Sequence, residues 1–340
     1  MLAIVFSRPG EFSLIERPDP IPGPRDAVVR VEAVGICGTD VHVLDGEFAL
    51  TVFPIVPGHE ATGTVVSVGE EITNLAPGDP VALDPSFYCG ECSFCMSGHG
   101  NLCENWDGAG VARTDGSTAE LVRSPAKNLH RLSNSVDLAL AALIEPLSCA
   151  IHAYDLLPRW IGAHYLIYGA GTMGLIMAQL APRVGAASVS VVDPNPQRRQ
   201  AALDVGIELV GANADELLRA GGWDTVIDCT GAVQAIEDGL TRVRRGGTFQ
   251  QFGVAANQAQ ARFSPFRIYN DEVTVVGSMA VLHSFARAVE MFAAGALTAK
   301  PMISHAFALT DYGEAIETFR AGTGRKVQIR PQTRESAELL

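Results

Sequence analysis

Hydrophobic positions change their spacing near residue 150. Before it, apolar residues form short alternating or continuous runs: DAVVRVEAVGI (26–36), EATGTVVSVG (60–69) and DPVALDP (79–85). Each stops at turn residues such as Pro77 and Gly78. Runs of this kind predict an all-β, barrel-like unit with long loops. From about residue 160, short apolar strands alternate with stretches of helical spacing. HYLIYG (164–169) is followed by TMGLIMAQLAPRV (172–184), SVSVVD (188–193) by NPQRRQAALDVG (195–206), and TVIDCTG (225–231) by AVQAIEDGLTRVR (232–244) and GGTFQQFGV (246–254). That alternation predicts βαβ units and a parallel sheet. Pro182 is expected to end or kink its helix about a turn before Gly185. The tail returns to short pieces, ISHAFAL (303–309), DYGEAIETFRAG (311–322) and RKVQIR (325–330), and the last ten residues read as loosely ordered. The expected organisation is therefore α/β plus β, one domain interrupted by another: residues 1–150, then 151–296, then 297–340 returning to the first.

Length and charge narrow the function. A chain of 340 residues exceeds one ordinary core of roughly 150 residues. The formal charge of −13 argues against nucleic acid and against an anionic membrane surface, both of which need clustered Lys and Arg. The opening MLAIVFSRPGEF is broken at Ser7, Arg8 and Pro9, too soon for a signal-peptide core. The longest apolar candidate, LALAALIEPLSCAIHAY, carries Glu145 and Pro146 in its middle. The expected location is the cytoplasm, where thiols stay reduced, with a small molecule as substrate.

Four of the seven cysteines fall within fifteen residues, Cys89, Cys92, Cys95 and Cys103, spaced C-x2-C-x2-C-x7-C. Four thiolates on one centre suit tetrahedral Zn2+ and leave no position open to a substrate, so this is a structural site. An iron–sulfur cluster also takes four cysteines, but the last gap is longer than in the ferredoxin run and no Pro follows Cys103.

A second group of zinc-ligand types is scattered: Cys37 in GICGTDVH, His59 and Glu60 in PGHEATG, and Glu145 in LIEPLSCA. Singly each is ordinary, a small buried hydrophobe, a satisfied histidine or a loop charge. Three protein ligands plus an exchangeable water would make a catalytic zinc site. The loop GAGTMG supplies Gly169, Gly171 and Gly174 around Ala170, Thr172 and Met173. It follows an apolar strand and opens a helix, and Asp193 ends the next strand nineteen residues beyond Gly174. That context is a dinucleotide fingerprint, with Asp193 on the adenosine ribose hydroxyls. The same carboxylate would repel a 2′-phosphate and so favours NAD. Arg198 and Arg199 are the groups that would bind such a phosphate, or else a solvated helix face.

These motifs, together with GDPVAL and in this order, resemble the zinc-dependent medium-chain dehydrogenase/reductase family, in its alcohol, polyol and threonine dehydrogenase branch, over nearly the whole chain. The resemblance implies a Rossmann doubly wound parallel sheet inserted in a GroES-like β-barrel catalytic domain. It implies two zinc ions per chain, the catalytic one on Cys37 and His59. Glu60 or Glu145 is the third ligand, or Glu145 holds the zinc-bound water. Thr39 and His42 match a proton relay running through the cofactor ribose, and Arg198 matches a residue packed near the adenosine of NAD. The implied reaction is reversible hydride transfer from a secondary alcohol of a polyol to NAD, giving a ketose. Vicinal diols of the butanediol type and L-threonine are the alternatives. Ala280 and Val281 replace the Arg–Tyr substrate clamp of animal sorbitol dehydrogenases. The resemblance also implies a homo-oligomer, a tetramer with a dimer as the other arrangement.

Overall fold

The computed structural model of the protein describes residues 1–217 and 219–339. They divide into two compact units, residues 1–148, 281–295 and 303–340 in the first, and 149–280 with 296–302 in the second.

The first unit is built on an eight-stranded sheet. Seven of its strands run in the order Ala337–Glu338, Ile303–Phe307, Lys326–Ile329, Asp26–Gly35, Glu60–Val68, Pro80–Leu83 and Leu129–Arg131. The eighth, Leu121–Pro125, pairs with Asp26–Gly35. The strand Asp26–Gly35 is thus the hub, and its Val29, Val31 and Val34 are fully or almost fully buried with Phe6, Val65, Tyr312 and Ile329. Its alternation of apolar and polar residues fits one face on a core and one outside.

The second unit is a six-stranded parallel sheet in the order Leu209–Gly211, Ala186–Val192, Ala163–Tyr168, Trp223–Asp228, Val243–Gln251 and Thr274–Gly277. Numbered along the chain this is 3-2-1-4-5-6, the doubly wound order that binds ligands at the carboxyl ends of its strands where the order reverses. Leu166, Tyr168, Val226 and Phe249 form its core. The helix after the first of these strands ends at Leu180. A 3-10 turn, Ala181–Val184, holds Pro182, and Gly185 follows in the left-handed region at φ 96°. This is the stop expected of Pro182.

Two expectations need correction. The chain rejoins the first unit at residue 281, ahead of the expected 297, because His130 packs on Phe285 with ring centroids 4.7 Å apart and Tyr88 meets His283 edge-on. Residues 296–302 then return to the second unit, where Gln179 accepts the amide of Thr298 at 2.7 Å. Nor is the tail loose through residue 339. Gln332 Nε2 donates to the carbonyls of Val31 and Glu120, the strand Ala337–Glu338 pairs with Ile303–Phe307, and Leu339 N donates to Ser304 O at 2.7 Å. Side-chain and edge-strand hydrogen bonds of this kind leave no hydrophobic pattern in a sequence. The one described segment long and apolar enough to cross a membrane, Leu138–Asp155, is 72% buried inside the protein, as a core helix is.

Asp84 ends the strand Pro80–Leu83 and opens the excursion to the cysteines; its amide donates to Asn128 O at 2.8 Å. Burial pushes its carboxyl up to about 6, only partly countered by the Ser86 amide. A raised folded value means that this group's contribution to stability is complete below the ordinary carboxylate range and is lost as pH rises through about 6. Asp84→Asn keeps an acceptor for Ser86 and cannot ionise. Thermal unfolding should therefore show it about 1–2 kcal/mol more stable than the parent at pH 8, with no advantage at pH 4. An equal effect at both pH values would refute this.

Candidate metal centres and dinucleotide site

Register in the first unit assembles the scattered ligand types. Gly35 lies opposite Glu60 on one side and opposite Gln328 on the other. His59 precedes Glu60, and Cys37 follows Gly35 by two residues as the N-cap of the helix Gly38–Leu44. One ligand atom from each of Cys37, His59 and Glu60 lies within 4.8 Å of the others. Glu145 is buried in the first turn of the helix Ile144–Asp155, outside that trio of donors.

Two further charged groups complete the site. Asp40 is 2% exposed; its Oδ2 accepts the amide of Cys37 at 2.8 Å, and its Oδ1 accepts that of Gly58 at 3.2 Å and lies 3.4 Å from His59 Nδ1. His59 Nδ1 makes no hydrogen bond of good geometry, so the ring is a buried base held by charge. Burial opposes its imidazolium, but Asp40 and the Cys37 sulfur outweigh burial and raise it well above the ordinary histidine range. On the far side of Glu60 stands Lys326, 3% exposed, whose Nζ donates to Glu60 Oε2 at 2.5 Å and to Ile36 O at 3.1 Å. Burial opposes its charge, yet Glu60 and then Cys37 keep the ammonium above its usual range. A thiol, an imidazole and a carboxylate converging on one buried point are the donor types of a zinc site, and a bound dication would replace the imidazole's proton opposite the two carboxylates.

Thr39 Oγ1 lies 3.7 Å from Cys37 Sγ on the same helix. His42 stands three residues on, hence on the same helical face, with its Nδ1 2.7 Å from Glu47 Oε2.

The four-cysteine loop also closes on one point. Sγ–Sγ separations are 3.9 Å for Cys89–Cys95, 3.8 Å for Cys92–Cys103 and 3.5 Å for Cys89–Cys103. Four sulfurs at ~2.3 Å from one tetrahedral ion lie about 3.8 Å apart, so the cage fits zinc. Backbone amides of Glu91 and Cys92 pull the Cys89 thiol down to about 6, while desolvation and its sulfur neighbours push Cys95 up to about 12. Crowded thiols resist ionising together until a dication joins them.

In the second unit Gly169 turns at φ 94°, and a Cβ on Gly174 would sit 1.7 Å from the carbonyl oxygen of Gly169, so only glycine lets helix and strand approach this closely. The helix Thr172–Leu180, with Met173 in its first turn, is N-capped by Gly171, which has no side chain to offer the first-turn amides; such an end receives a pyrophosphate. Asp193, 3% exposed, accepts Ala170 N at 2.9 Å and Asn195 N at 2.8 Å. Each oxygen keeps a lone pair for a ribose hydroxyl. Arg198 Nη1 lies 3.9 Å from Asp193 and its buried Nε has no hydrogen-bond partner, which suits it to a cofactor. Arg199 instead donates to the carbonyls of Asp193 and Pro194 at 2.8 Å, a backbone tie rather than a phosphate ligand.

Comparison with known proteins agrees with this geometry. Residues 23–134 match the family model of the alcohol dehydrogenase GroES-like domain and residues 172–294 that of the zinc-binding dehydrogenases. The chain is 34% identical to D-arabinitol dehydrogenase 1 of Uromyces fabae over 97% of both chains, and 32% identical to a sorbitol dehydrogenase of Halalkalibacterium halodurans over 95% of this chain and 96% of that one. A zinc-binding dehydrogenase of Sinorhizobium meliloti 1021, solved bound to NADP, superposes with a TM-score of 0.93 at 33% identity, covering 97% of this chain and 99% of that one. The chain belongs to the zinc-dependent medium-chain dehydrogenases. Its first unit is the GroES-like domain and its second the Rossmann domain, as the motif order implied.

Asp40 and Lys326 of this dehydrogenase escaped the reading of motifs. Asp40 carried a legible signal, an acid three residues after an N-cap, the spacing of a capping pair. Lys326 carried none, because it enters from a strand 266 residues beyond its partner. Lys326→Met is expected to leave Glu60 without its hydrogen-bonded counter-charge, a deficit that a bound metal would offset. Metal-stripped protein should then lose about 3–5 kcal/mol of stability and zinc-loaded protein markedly less. Equal unfolding midpoints for mutant and parent in the stripped state would overturn this. Metal analysis should find two zinc ions per chain, falling to one in Cys37→Ala and, independently, in Cys103→Ala.

Proposed function

We propose that this chain is an NAD-dependent polyol dehydrogenase, oxidising one secondary alcohol carbon of a sugar alcohol to a ketone and catalysing the reverse. The observation that carries the reading is the meeting of Cys37, His59 and Glu60 within 4.8 Å, with Thr39 and His42 on the helix that Cys37 caps. The names of the arabinitol and sorbitol dehydrogenase relatives support the sugar-alcohol class.

When bound, a zinc ion on Cys37, His59 and Glu60 supplies a Lewis acid that acidifies the alcohol, and the dinucleotide supplies the hydride acceptor. Asp40 faces His59 Nδ1, which leaves Nε2 as the donor to the metal. Lys326 holds Glu60 by Oε2 and leaves Oε1 for coordination. Glu145, buried in the first turn of its helix and outside the trio of donors, would hold a water on the bound metal. Thr39 accepts the alcohol proton at Oγ1 as its own hydroxyl proton leaves, and His42 takes up a proton on its ring and delivers it to solvent. Glycines 169, 171 and 174 seat the pyrophosphate, Asp193 takes the ribose hydroxyls and repels a 2′-phosphate, and Arg198 lies along the adenosine. The seven cysteines are all free, which supports a reducing, cytoplasmic setting. The exposed edge strand Thr274–Gly277, near exposed Phe266 and Tyr269, supports assembly as a homo-oligomer, with a tetramer as the form to test by sedimentation.

Initial rates with NAD or NADP against D-arabinitol, sorbitol, galactitol, 2,3-butanediol and L-threonine test the reading. A sugar alcohol should exceed L-threonine and the diol in kcat/KM by about tenfold or more, and NAD should exceed NADP by about 10²-fold. L-Threonine or the diol as best substrate would overturn the polyol assignment, and preference for NADP would overturn the role of Asp193.

A further inference from the structure

The helix Gly38–Leu44 ends in a way that ties its relay residue to a group outside the helix. Asp45 is the C-cap, and Gly46 follows at φ 76°, where an added Cβ would also lie 2.8 Å from the side chain of Pro9. The amide of Glu47 donates to the carbonyl of His42 at 2.8 Å, and that of Gly46 to Val43 at 3.0 Å. These are the two hydrogen bonds of a Schellman cap. That motif brings the side chain two positions past the C-cap against the one three positions before it, normally as an apolar contact. Here the two side chains are Glu47 and His42, and the contact is polar, Glu47 Oε2 lying 2.7 Å from His42 Nδ1.

An ionised carboxylate can only accept, so Nδ1 carries the proton and the neutral ring presents Nε2 as its acceptor. Asp45, the neighbouring acid, is drawn away by Arg320 on the helix Tyr312–Ala321. Glu47 is therefore the carboxylate that reaches the ring. The side chains of His42 and Glu47 are 29% and 53% exposed, so their pairing adds little to stability. What it supplies is orientation and a single tautomer.

We infer that Glu47 is a positioning residue for His42: through the Schellman cap it fixes the Nδ1–H tautomer, aims Nε2 at the incoming proton, and steadies the imidazolium until solvent takes that proton. This rests on the relay role proposed for His42. No bond other than N–H and O–H changes: one proton is gained at Nε2 and later lost to water or buffer, and the Nδ1 proton stays on the ring.

The test uses the zinc-loaded full chain with NAD and its best sugar alcohol. Glu47→Ala should lower kcat about 3–10-fold with both KM values within about twofold, a modest part of what acid–base catalysis supplies. Its unfolding midpoint and zinc content should match the parent. Glu47→Gln, which still accepts from Nδ1–H, should recover most of the loss, and imidazole in solution should restore turnover to Glu47→Ala. In a His42→Ala background, Glu47→Ala should cost nothing further. A slow His42→Ala beside a fully active Glu47→Ala overturns the inference alone, as does an undiminished loss in the double variant. A fully active His42→Ala removes the relay reading and the inference with it.

Discussion

Two opposite charges, Glu60 and Lys326, meet in the interior of the first unit, and the arrangement around the metal depends on them. Each is almost wholly withdrawn from water, so neither could be accommodated alone. Their pairing fixes the distance between the strand Glu60–Val68 and the strand Lys326–Ile329 across the hub strand Asp26–Gly35. Cys37 leaves the hub two residues past that level, and His59 is the residue before Glu60. The same contact that neutralises a buried acid therefore also places a thiol, an imidazole and a free carboxylate oxygen around one point. Asp40 secures the other side, holding the Cys37 and Gly58 amides together and facing the imidazole.

The two candidate metal centres contrast in how they are built. The cysteine cage draws its four donors from one short loop and is shaped by local turns and amide-to-sulfur hydrogen bonds. The Cys37–His59–Glu60 centre draws on the carboxyl end of one strand, the start of another and a counter-ion from a third. A cage saturated by four sulfurs would serve the fold, while a mixed site with fewer protein donors would keep room for an oxygen of a substrate.

This contrast explains what could be read in advance. Local features were legible: the cysteine spacing, the glycine loop with Asp193, the strand-helix alternation and the stop at Pro182 all depend on residues close in sequence. Cys37, His59 and Glu60 were legible as ligand types, but their meeting was a matter of strand register, which no spacing encodes. Lys326 was invisible because a lysine near a chain end looks like any surface charge. The anchoring of the tail and the rejoining of the first unit at residue 281 were misjudged for a related reason. Gln332, Phe285 and His283 are held by a side-chain amide and by ring contacts to distant segments, and such partners have no periodicity.

The separation in sequence between Glu60 and Lys326 has a consequence for biosynthesis. Ribosomes deliver the cysteine cage complete within the first third of the polypeptide, so it can capture its ion while translation continues. The other centre has no such freedom, since its buried acid stays uncompensated until the strand carrying Lys326 emerges. The four donors of the cage are thus complete long before the counter-charge of the other centre has been added to the chain.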